Sequence, residues 1–271
     1  MKATIKGDIS IAFEDKGEGL PIVLIHAFAT DRSMWGPQIT QLSKHWRVIA
    51  PDLRGFGFSD PTDGTPVSMD QYAEDIAGLL DHLNISAAVM VGLSLGGYVT
   101  LAFAQKYPGR VKALILANTR ATPDSDSARE ARFTLAKNVE RVGIRAVVEA
   151  YDGKLLAPGA DLDSQDFVWN MLANQPSSGA LSAIRGMAVR PDRQDFLKQV
   201  TVPALIISGT ADVLIPPAES EPMSQQIVNS TFINIPGAGH LSNIDNPAEF
   251  NLAVERFLGT LVGSGEQGSR K

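Results

Sequence analysis

The chain has 271 residues, enough for one large domain, and its 20% charged and 44% hydrophobic residues are ordinary proportions for a globular protein. A formal net charge of −6 with no offsetting basic cluster argues against nucleic acid or an anionic membrane as the main partner. The absence of cysteine excludes disulfides, thiolate metal sites and a cysteine nucleophile.

The N-terminal segment MKATIKGDIS carries a lysine but lacks the apolar core of a signal peptide. No run along the chain approaches the roughly 18 apolar residues that would span a bilayer. These two features predict a cytoplasmic protein without a membrane partner. Whether it is a monomer or a dimer is left open.

Short, β-branched and mostly apolar runs recur along the chain. Residues 9–14 alternate between apolar and polar and predict an antiparallel strand near the start. The later runs are nearly continuous in apolar residues, which is typical of strands that helices cover on both faces. These runs are residues 21–26, 47–51, 88–93, 111–117, 204–208 and 231–235.

Helical patterns lie between the predicted strands. Residues 69–83 have apolar side chains on one face, and Ser68 with Gln71 forms the pattern of a capping box. Further helices are predicted at residues 98–107 and 247–261. This alternation of strands and helices predicts an α/β fold with a mostly parallel central sheet flanked by helices.

Residues 120–200 interrupt the alternation, because they contain no convincing strand. Their helical patterns cover residues 128–141, 144–155, 164–174 and 177–187. An insertion between two core strands would lie over the strand ends, where ligand sites form in α/β folds. We therefore predict a helical lid at 120–200 on a core of residues 1–119 and 201–262. The tail 263–271 is predicted to be disordered.

The segment VMVGLSLGGY (89–98) places Ser94 between a predicted strand and a predicted helix. Gly92 and Gly96 complete the pattern G-x-S-x-G, which is typical of a nucleophile on a sharp strand-to-helix turn. A phosphate-binding loop would need a lysine that is absent here, and the glycine spacing does not match a dinucleotide-binding loop. A purely structural turn is the remaining alternative.

A nucleophilic serine needs a general base. His240 follows the run at 231–235 through the flexible segment PGAGH (236–240), which can bring an imidazole over the sheet edge. A lone loop histidine is more often a solvent residue, and its place after the last predicted core strand is what favours His240. The other histidines lie earlier in the chain and are less suitable: His26, His45 and His82.

The base in turn needs a carboxylate to fix its tautomer and to stabilise the imidazolium. Asp212 follows the run at 204–208, although most loop aspartates are only turn or cap residues. Asp52 also follows a predicted strand, but it precedes the serine and so does not fit the chain order serine, acid, histidine that accompanies this kind of turn. Ser94, Asp212 and His240, each at the carboxyl end of a predicted strand, therefore form the predicted catalytic triad.

An ester carbonyl attacked by serine also needs two backbone N–H groups for its oxyanion. One would come from Leu95, directly after the nucleophile, where the helix dipole also favours negative charge. The second is expected from the loop 26–30, with Phe28 as the donor.

These motifs resemble the α/β-hydrolase superfamily over nearly the whole length of the chain. The matching stretches are LIHAF (24–28), PDLRGFGFS (51–59), GLSLGG (92–97), GTAD (209–212) and GAGH (237–240). Within the superfamily, the chain is similar to small bacterial carboxylesterases that themselves resemble 3-oxoadipate enol-lactonases. The resemblance implies an α/β-hydrolase fold in which the lid shapes the acyl and alcohol pockets.

The chain departs from this family at Ala27, where relatives usually have glycine. If that position takes a positive φ, alanine costs about 1–2 kcal/mol there; otherwise the loop adopts a conformation that alanine tolerates. The resemblance also implies that His26 braces this loop, that Asp52 and Arg54 brace the neighbouring turn, and that Asn118 cannot serve as the acid some relatives place there.

The triad and the resemblance together predict a serine carboxylesterase acting on small-molecule esters with short to medium chains. This chemistry needs no cofactor, and no metal site is expected because no two histidines have the spacing of metal ligands. Enol-lactone hydrolysis and C–C bond hydrolysis use the same triad and stay open, and a ligand receptor or signalling protein of the same fold is a further alternative. For the substrate pocket we expect Trp169, Met187 and Leu241, although apolar residues at helical spacing more often pack in the protein interior.

Overall fold

The computed structural model of the protein describes residues 1–5 and 8–263. In this part of the chain, eight strands form one sheet. The strands are β1 (Lys2–Ile5), β2 (Ile9–Lys16), β3 (Pro21–Ile25), β4 (Arg47–Pro51), β5 (Ala88–Leu93), β6 (Val111–Ala117), β7 (Ala204–Gly209) and β8 (Ser230–Ile235).

The order of the strands across the sheet is β1-β2-β4-β3-β5-β6-β7-β8. β2 is antiparallel to β1 and β4, and all pairs from β4 to β8 are parallel. The prediction of a mostly parallel sheet with an antiparallel strand near the start is therefore confirmed. Strand β1 was not predicted, since it has only four residues and just two of them are buried.

Eleven α-helices lie in the described residues. They are α1 (Gly36–Leu42), α2 (Met69–His82), α3 (Leu95–Lys106), α4 (Asp126–Val142), α5 (Arg145–Tyr151), α6 (Leu162–Ala173), α7 (Ser177–Ala188), α8 (Gln194–Leu197), α9 (Pro217–Gln226), α10 (Ser242–Asp245) and α11 (Pro247–Gly263). Two 3-10 helices cover Arg32–Trp35 and Pro108–Arg110. None of the helices in the described ranges is long and apolar enough to cross a bilayer.

The middle of the molecule is covered on both faces, as the continuous apolar runs require. All six residues of β5 are buried, and so are all residues of α3 from Leu95 to Ala104. Helix α3 begins three residues before the predicted start, because Leu95 and two glycines carry no amphipathic pattern that would mark its first turn. The junction between β5 and α3 is therefore buried in the core.

Between β6 and β7 the chain forms α4 to α8, and no strand occurs in this described segment. It approaches the loop after β4 closely at Gly179, where a Cβ atom would lie 1.8 Å from the carbonyl oxygen of Gly55. It is also hydrogen-bonded to the core, since the Gln175 side chain accepts from the Gly57 N–H at 3.0 Å. These contacts support our proposal that residues 120–200 form a lid on the core of residues 1–119 and 201–262.

The prediction for the tail 263–271 falls outside the described residues, apart from Gly263 at the end of α11.

The capping box at the start of α2 is present in the structure. The Ser68 hydroxyl accepts from the Gln71 N–H at 3.1 Å, and the Gln71 side chain accepts from the Ser68 N–H at 2.8 Å. Replacing Ser68→Ala removes one acceptor and should lower the free energy of unfolding by about 1 kcal/mol, measured by urea denaturation. Ser68→Asp keeps an acceptor and should restore most of the loss; an equal loss in both variants would contradict the assignment.

Candidate active site

Ser94 lies on the turn between β5 and α3, where its backbone has a φ of 55° and a ψ of −114°. This region is rarely adopted by residues other than glycine and marks a strained turn. The turn is possible because Gly92 and Gly96 lack side chains. A Cβ atom on Gly92 would lie 2.1 Å from the Gly96 carbonyl oxygen, and one on Gly96 would lie 2.1 Å from the Ile25 carbonyl oxygen.

The imidazole of His240 joins Ser94 to Asp212. Its Nε2 lies 2.8 Å from the Ser94 Oγ, and its Nδ1 lies 2.8 Å from Asp212 Oδ2. In this arrangement Nδ1–H donates to the carboxylate, while Nε2 can accept the serine proton. All three side chains are almost fully enclosed, with Ser94 9% exposed. The structure therefore brings together the three residues of the predicted triad.

Asp212 is held in place by several donors. Its Oδ1 accepts from the N–H groups of Leu214 and Ile215 at 2.9 and 3.0 Å, and its Oδ2 also accepts from the Asn118 amide at 2.9 Å. Burial on its own would raise the pKa of this carboxyl, but the hydrogen bond and charge of His240 and the further donors lower it below the usual value. The carboxylate therefore stays ionised.

Asn118 is part of the site, although the sequence reasoning had only excluded it as an acid. It directly follows β6 with a φ of 46°, and its side chain is fully buried. Its amide donates to Asp212 and its Oδ1 accepts from the Ser242 hydroxyl at 2.5 Å. The signal that could have identified it is an uncharged amide at the carboxyl end of a core strand, beside the strand that carries the acid.

The two predicted oxyanion donors have no acceptor among the described residues. The N–H groups of Phe28 and Leu95 make no hydrogen bond there, whereas the Ala27 N–H donates to the Met34 sulfur at 3.3 Å. The positive φ in this loop occurs at Ala29, at 56°, and not at Ala27. Of the two alternatives for Ala27, the structure therefore shows the one in which the loop tolerates alanine.

The residues expected to brace this region are engaged in the interior. The ring of His26 is fully buried, and its Nε2 accepts from the Leu53 N–H at 2.9 Å. Burial lowers the pKa of His26, which keeps it neutral. Asp52 accepts from the Phe58 N–H at 2.9 Å and pairs with Arg32, whereas Arg54 pairs with Asp75.

A cavity of about 110 Å³ opens beside the nucleophile. The residues in its wall that bear on chemistry are Ser94, His240, Phe28, Arg120, Arg132 and Met187. Of the three expected pocket residues, Met187 therefore lines this cavity. Trp169 lies instead on a separate cavity and is 54% exposed, and Leu241 lines neither because its side chain is buried in the core.

An arginine cluster forms the other side of this cavity, and the sequence reasoning missed it. Asp124 binds Arg132 at 2.5 Å, Arg190 at 2.7 Å and Arg120 at 3.2 Å, and Arg120 also pairs with Glu219. Three guanidinium groups thus face two carboxylates, which leaves one positive charge in excess.

Burial would disfavour both kinds of charge in the cluster. It would raise the pKa of Asp124, but Arg132 and Arg190 outweigh burial and lower it, so that Asp124 stays ionised. Likewise, the tyrosines Tyr98 and Tyr151 together with Asp124 raise the pKa of Arg132 despite its burial. The cavity is therefore suited to a substrate that carries a negative charge.

The chain is similar to known proteins over most of its length. A family model described as alpha/beta hydrolase fold matches residues 21–247. The chain is 32% identical over 240 residues to 3-oxoadipate enol-lactonase 2 of Acinetobacter baylyi, and the match covers 88% of each chain.

Two solved structures are similar to the protein in both fold and sequence. A thermophilic esterase from Thermogutta terrifontis, solved with malate bound, has a TM-score of 0.93 at 40% identity, covering 96% of this chain and 98% of that one. The enol-lactonase of Burkholderia xenovorans LB400 has a TM-score of 0.86 at 30% identity, covering 96% of this chain and 100% of that one.

The reactivity of Ser94 should depend on pH through His240. A protonated imidazole cannot take the serine proton, so the rate of reaction should fall as the solution is acidified from about pH 8 to about pH 5. The measurement is the rate at which a fluorophosphonate labels the Ser94 peptide, followed by mass spectrometry. A rate that is flat over this range would exclude His240 as the base.

Because the pKa of Asp212 is lowered, protonation of this carboxylate does not contribute to the measured change in rate. An acid whose pKa is lowered by folding contributes stability above its unfolded pKa, and this contribution is lost only as pH falls through the lowered value. Asp212 therefore stays ionised throughout the pH range of the measurement. Circular dichroism at each pH provides the control for folding.

Proposed function

The chain belongs to the α/β-hydrolase fold family, and we propose that it is a serine carboxylesterase that cleaves short- to medium-chain esters through an acyl-enzyme. The observation that supports this proposal most directly is the chain of hydrogen bonds from Ser94 Oγ through His240 to Asp212, in which both donor–acceptor distances are 2.8 Å. A strained turn that presents a serine to its base at the wall of a cavity supports nucleophilic catalysis over a structural role.

In the first half of the reaction, Ser94 Oγ attacks the ester carbonyl carbon while His240 Nε2 takes the serine proton. The carbonyl oxygen becomes an oxyanion, which the free N–H groups of Phe28 and Leu95 would stabilise. The C–O bond to the alcohol then breaks, and His240 returns the proton to the leaving alkoxide. Asp212 stabilises the imidazolium that exists between these two steps.

In the second half, water takes the place of the alcohol. His240 removes a proton from the water as it attacks the acyl carbon, and the same two N–H groups hold the second oxyanion. The bond from the acyl carbon to Ser94 Oγ breaks, and His240 returns its proton to the serine. The products are a carboxylic acid and the regenerated enzyme, so no cofactor or metal is required.

Enol-lactone hydrolysis is the second candidate, and the arginine cluster favours it. A lactone is an internal ester and opens by the same two steps. Arg120 and Arg132 line the cavity. One relative of the chain is named 3-oxoadipate enol-lactonase 2, and another was solved with malate, a dicarboxylate. We therefore propose that the preferred substrate carries a carboxylate, whether it is an open ester or a lactone.

Replacing Ser94→Ala tests the proposed chemistry. We expect the hydrolysis of p-nitrophenyl acetate and butyrate to fall by at least about 10³-fold, because the nucleophile is lost while the cavity is kept. A fluorophosphonate should add once to the wild-type protein, on the Ser94 peptide, and not to the variant. Full activity in Ser94→Ala, or an adduct on another residue of an active protein, would refute the mechanism.

A wider panel of substrates separates the remaining alternative functions. A C–C bond hydrolase with this triad would turn over p-nitrophenyl esters slowly and vinylogous diketones rapidly. A ligand receptor or signalling protein would show slow or no turnover of any substrate in a panel of p-nitrophenyl esters and an enol-lactone.

Removing the charge of Arg132 should change substrate preference. For Arg132→Met we expect kcat/KM for p-nitrophenyl hydrogen succinate to fall about 10–100-fold relative to neutral p-nitrophenyl butyrate, because a charge-assisted contact is lost. Arg129→Met is the matched control, since Arg129 lies on the same helix α4 and pairs with Asp126 at the surface. Equal effects on both substrates would contradict a carboxylate contact.

A further inference from the structure

A second cavity adjoins the catalytic one and is larger. It has a volume of about 310 Å³, against about 110 Å³ beside Ser94, and we call it the lid cavity because α5, α6 and the loop between them line it. Its apolar walls come from Val148, Leu156, Val168, Trp169 and Leu172.

Tyr151 and Leu155 line both cavities. They are therefore the wall between the catalytic cavity and the lid cavity. The ring of Tyr151 packs against that of Phe28, the predicted oxyanion donor, with centroids 5.7 Å apart. Leu155 is 7% exposed, so its side chain is buried where the two cavities meet.

The backbone at this wall is tied to the loop that carries His240. The Leu155 carbonyl accepts from the Leu241 N–H at 2.8 Å. Two residues on, the Ala157 N–H donates to Asp245 at 2.9 Å, and the same carboxylate oxygen accepts from the Gly239 N–H at 2.7 Å. The wall therefore has a fixed position, and what passes it depends on the size of the side chains at 151 and 155.

The two cavities differ in charge. Arg120 and Arg132 line the catalytic cavity, whereas Asp152 and Asp166 lie in the wall of the lid cavity. A substrate carboxylate is attracted to the first and repelled from the second. The lid cavity is accordingly suited to an uncharged apolar chain.

We propose that Tyr151 and Leu155 set the limit on substrate chain length, and that the lid cavity receives the distal part of a longer apolar chain once this wall is shortened. The inference rests on the proposed ester hydrolysis and names two residues that determine its specificity. The chain can belong to the acyl or to the alcohol part of the ester, because both groups extend from the carbonyl beside Ser94.

Leu155→Ala tests the wall directly. Each buried methylene contributes about fourfold to binding, so two or more methylenes that enter the lid cavity should raise the ratio of kcat/KM for octanoate to that for acetate at least about tenfold. A series of p-nitrophenyl esters varies the acyl chain and gives the ratio of octanoate to acetate. A series of alkyl acetates varies the alcohol and gives the corresponding ratio of a long to a short alkyl chain. The series in which the ratio rises identifies the chain that enters.

Two further variants control for unspecific effects. Leu172→Ala removes a leucine that lines only the lid cavity, and it should leave the ratio unchanged. Adding Val148→Phe to Leu155→Ala fills the lid cavity and should return the ratio to the wild-type value. Leu155→Val, a smaller change, should show a smaller rise and provides the test if Leu155→Ala does not fold.

The possible failures are distinguishable. If the wild-type protein does not hydrolyse p-nitrophenyl acetate in a reaction that requires Ser94, the proposed function is wrong. If it does, and both folded Leu155 variants keep the wild-type ratio in both ester series, only the role of the wall is overturned. A rise in the ratio that persists when Val148→Phe is added would also overturn it, because the lid cavity would not be the space used.

Discussion

The strained turn at Ser94 is the constraint on which the rest of the site depends. The chain passes from β5 to α3 within one residue, which requires glycines at 92 and 96 because a side chain at either would overlap with backbone atoms. The same turn exposes the Leu95 N–H at the start of a helix. Because β5 to β8 are parallel, the loops that carry Asp212 and His240 leave the sheet at the same edge as Ser94.

Burial gives the site its electrostatic character. Buried carboxyls lose their charge unless donors compensate for the lost water, and both carboxylates near the cavity are compensated. Asp212 has His240 and three further donors, and Asp124 has three arginines. The first carboxylate orients a base, whereas the second fixes Arg132 beside the nucleophile, so the cavity combines an imidazole base with an excess positive charge.

The sequence could predict what depends on local pattern. Continuous apolar runs predicted the parallel strands, and the order of Ser94, Asp212 and His240 predicted which loops meet at the sheet edge. Arg132 was missed because its role depends on how α4 packs over that edge, which no local pattern encodes. Trp169 was placed in the substrate pocket for the same reason: helical periodicity identifies an apolar side chain but not the cavity that it faces.

The Asp245 carboxylate links the lid loop behind the wall to the loop that carries His240. This carboxylate accepts from Ala157 in the loop behind the wall and from Gly239 next to the base, and no arginine or lysine pairs with it in the described chain. Burial raises the pKa of Asp245, and the two N–H donors only partly oppose this shift. Because one side chain holds both loops, a change in the lid loop that displaces Ala157 also loosens the backbone that positions His240. Substitutions that only shorten side chains in the wall do not touch this carboxylate, which is why we expect Leu155→Ala to leave the hydrogen bonds of the triad intact.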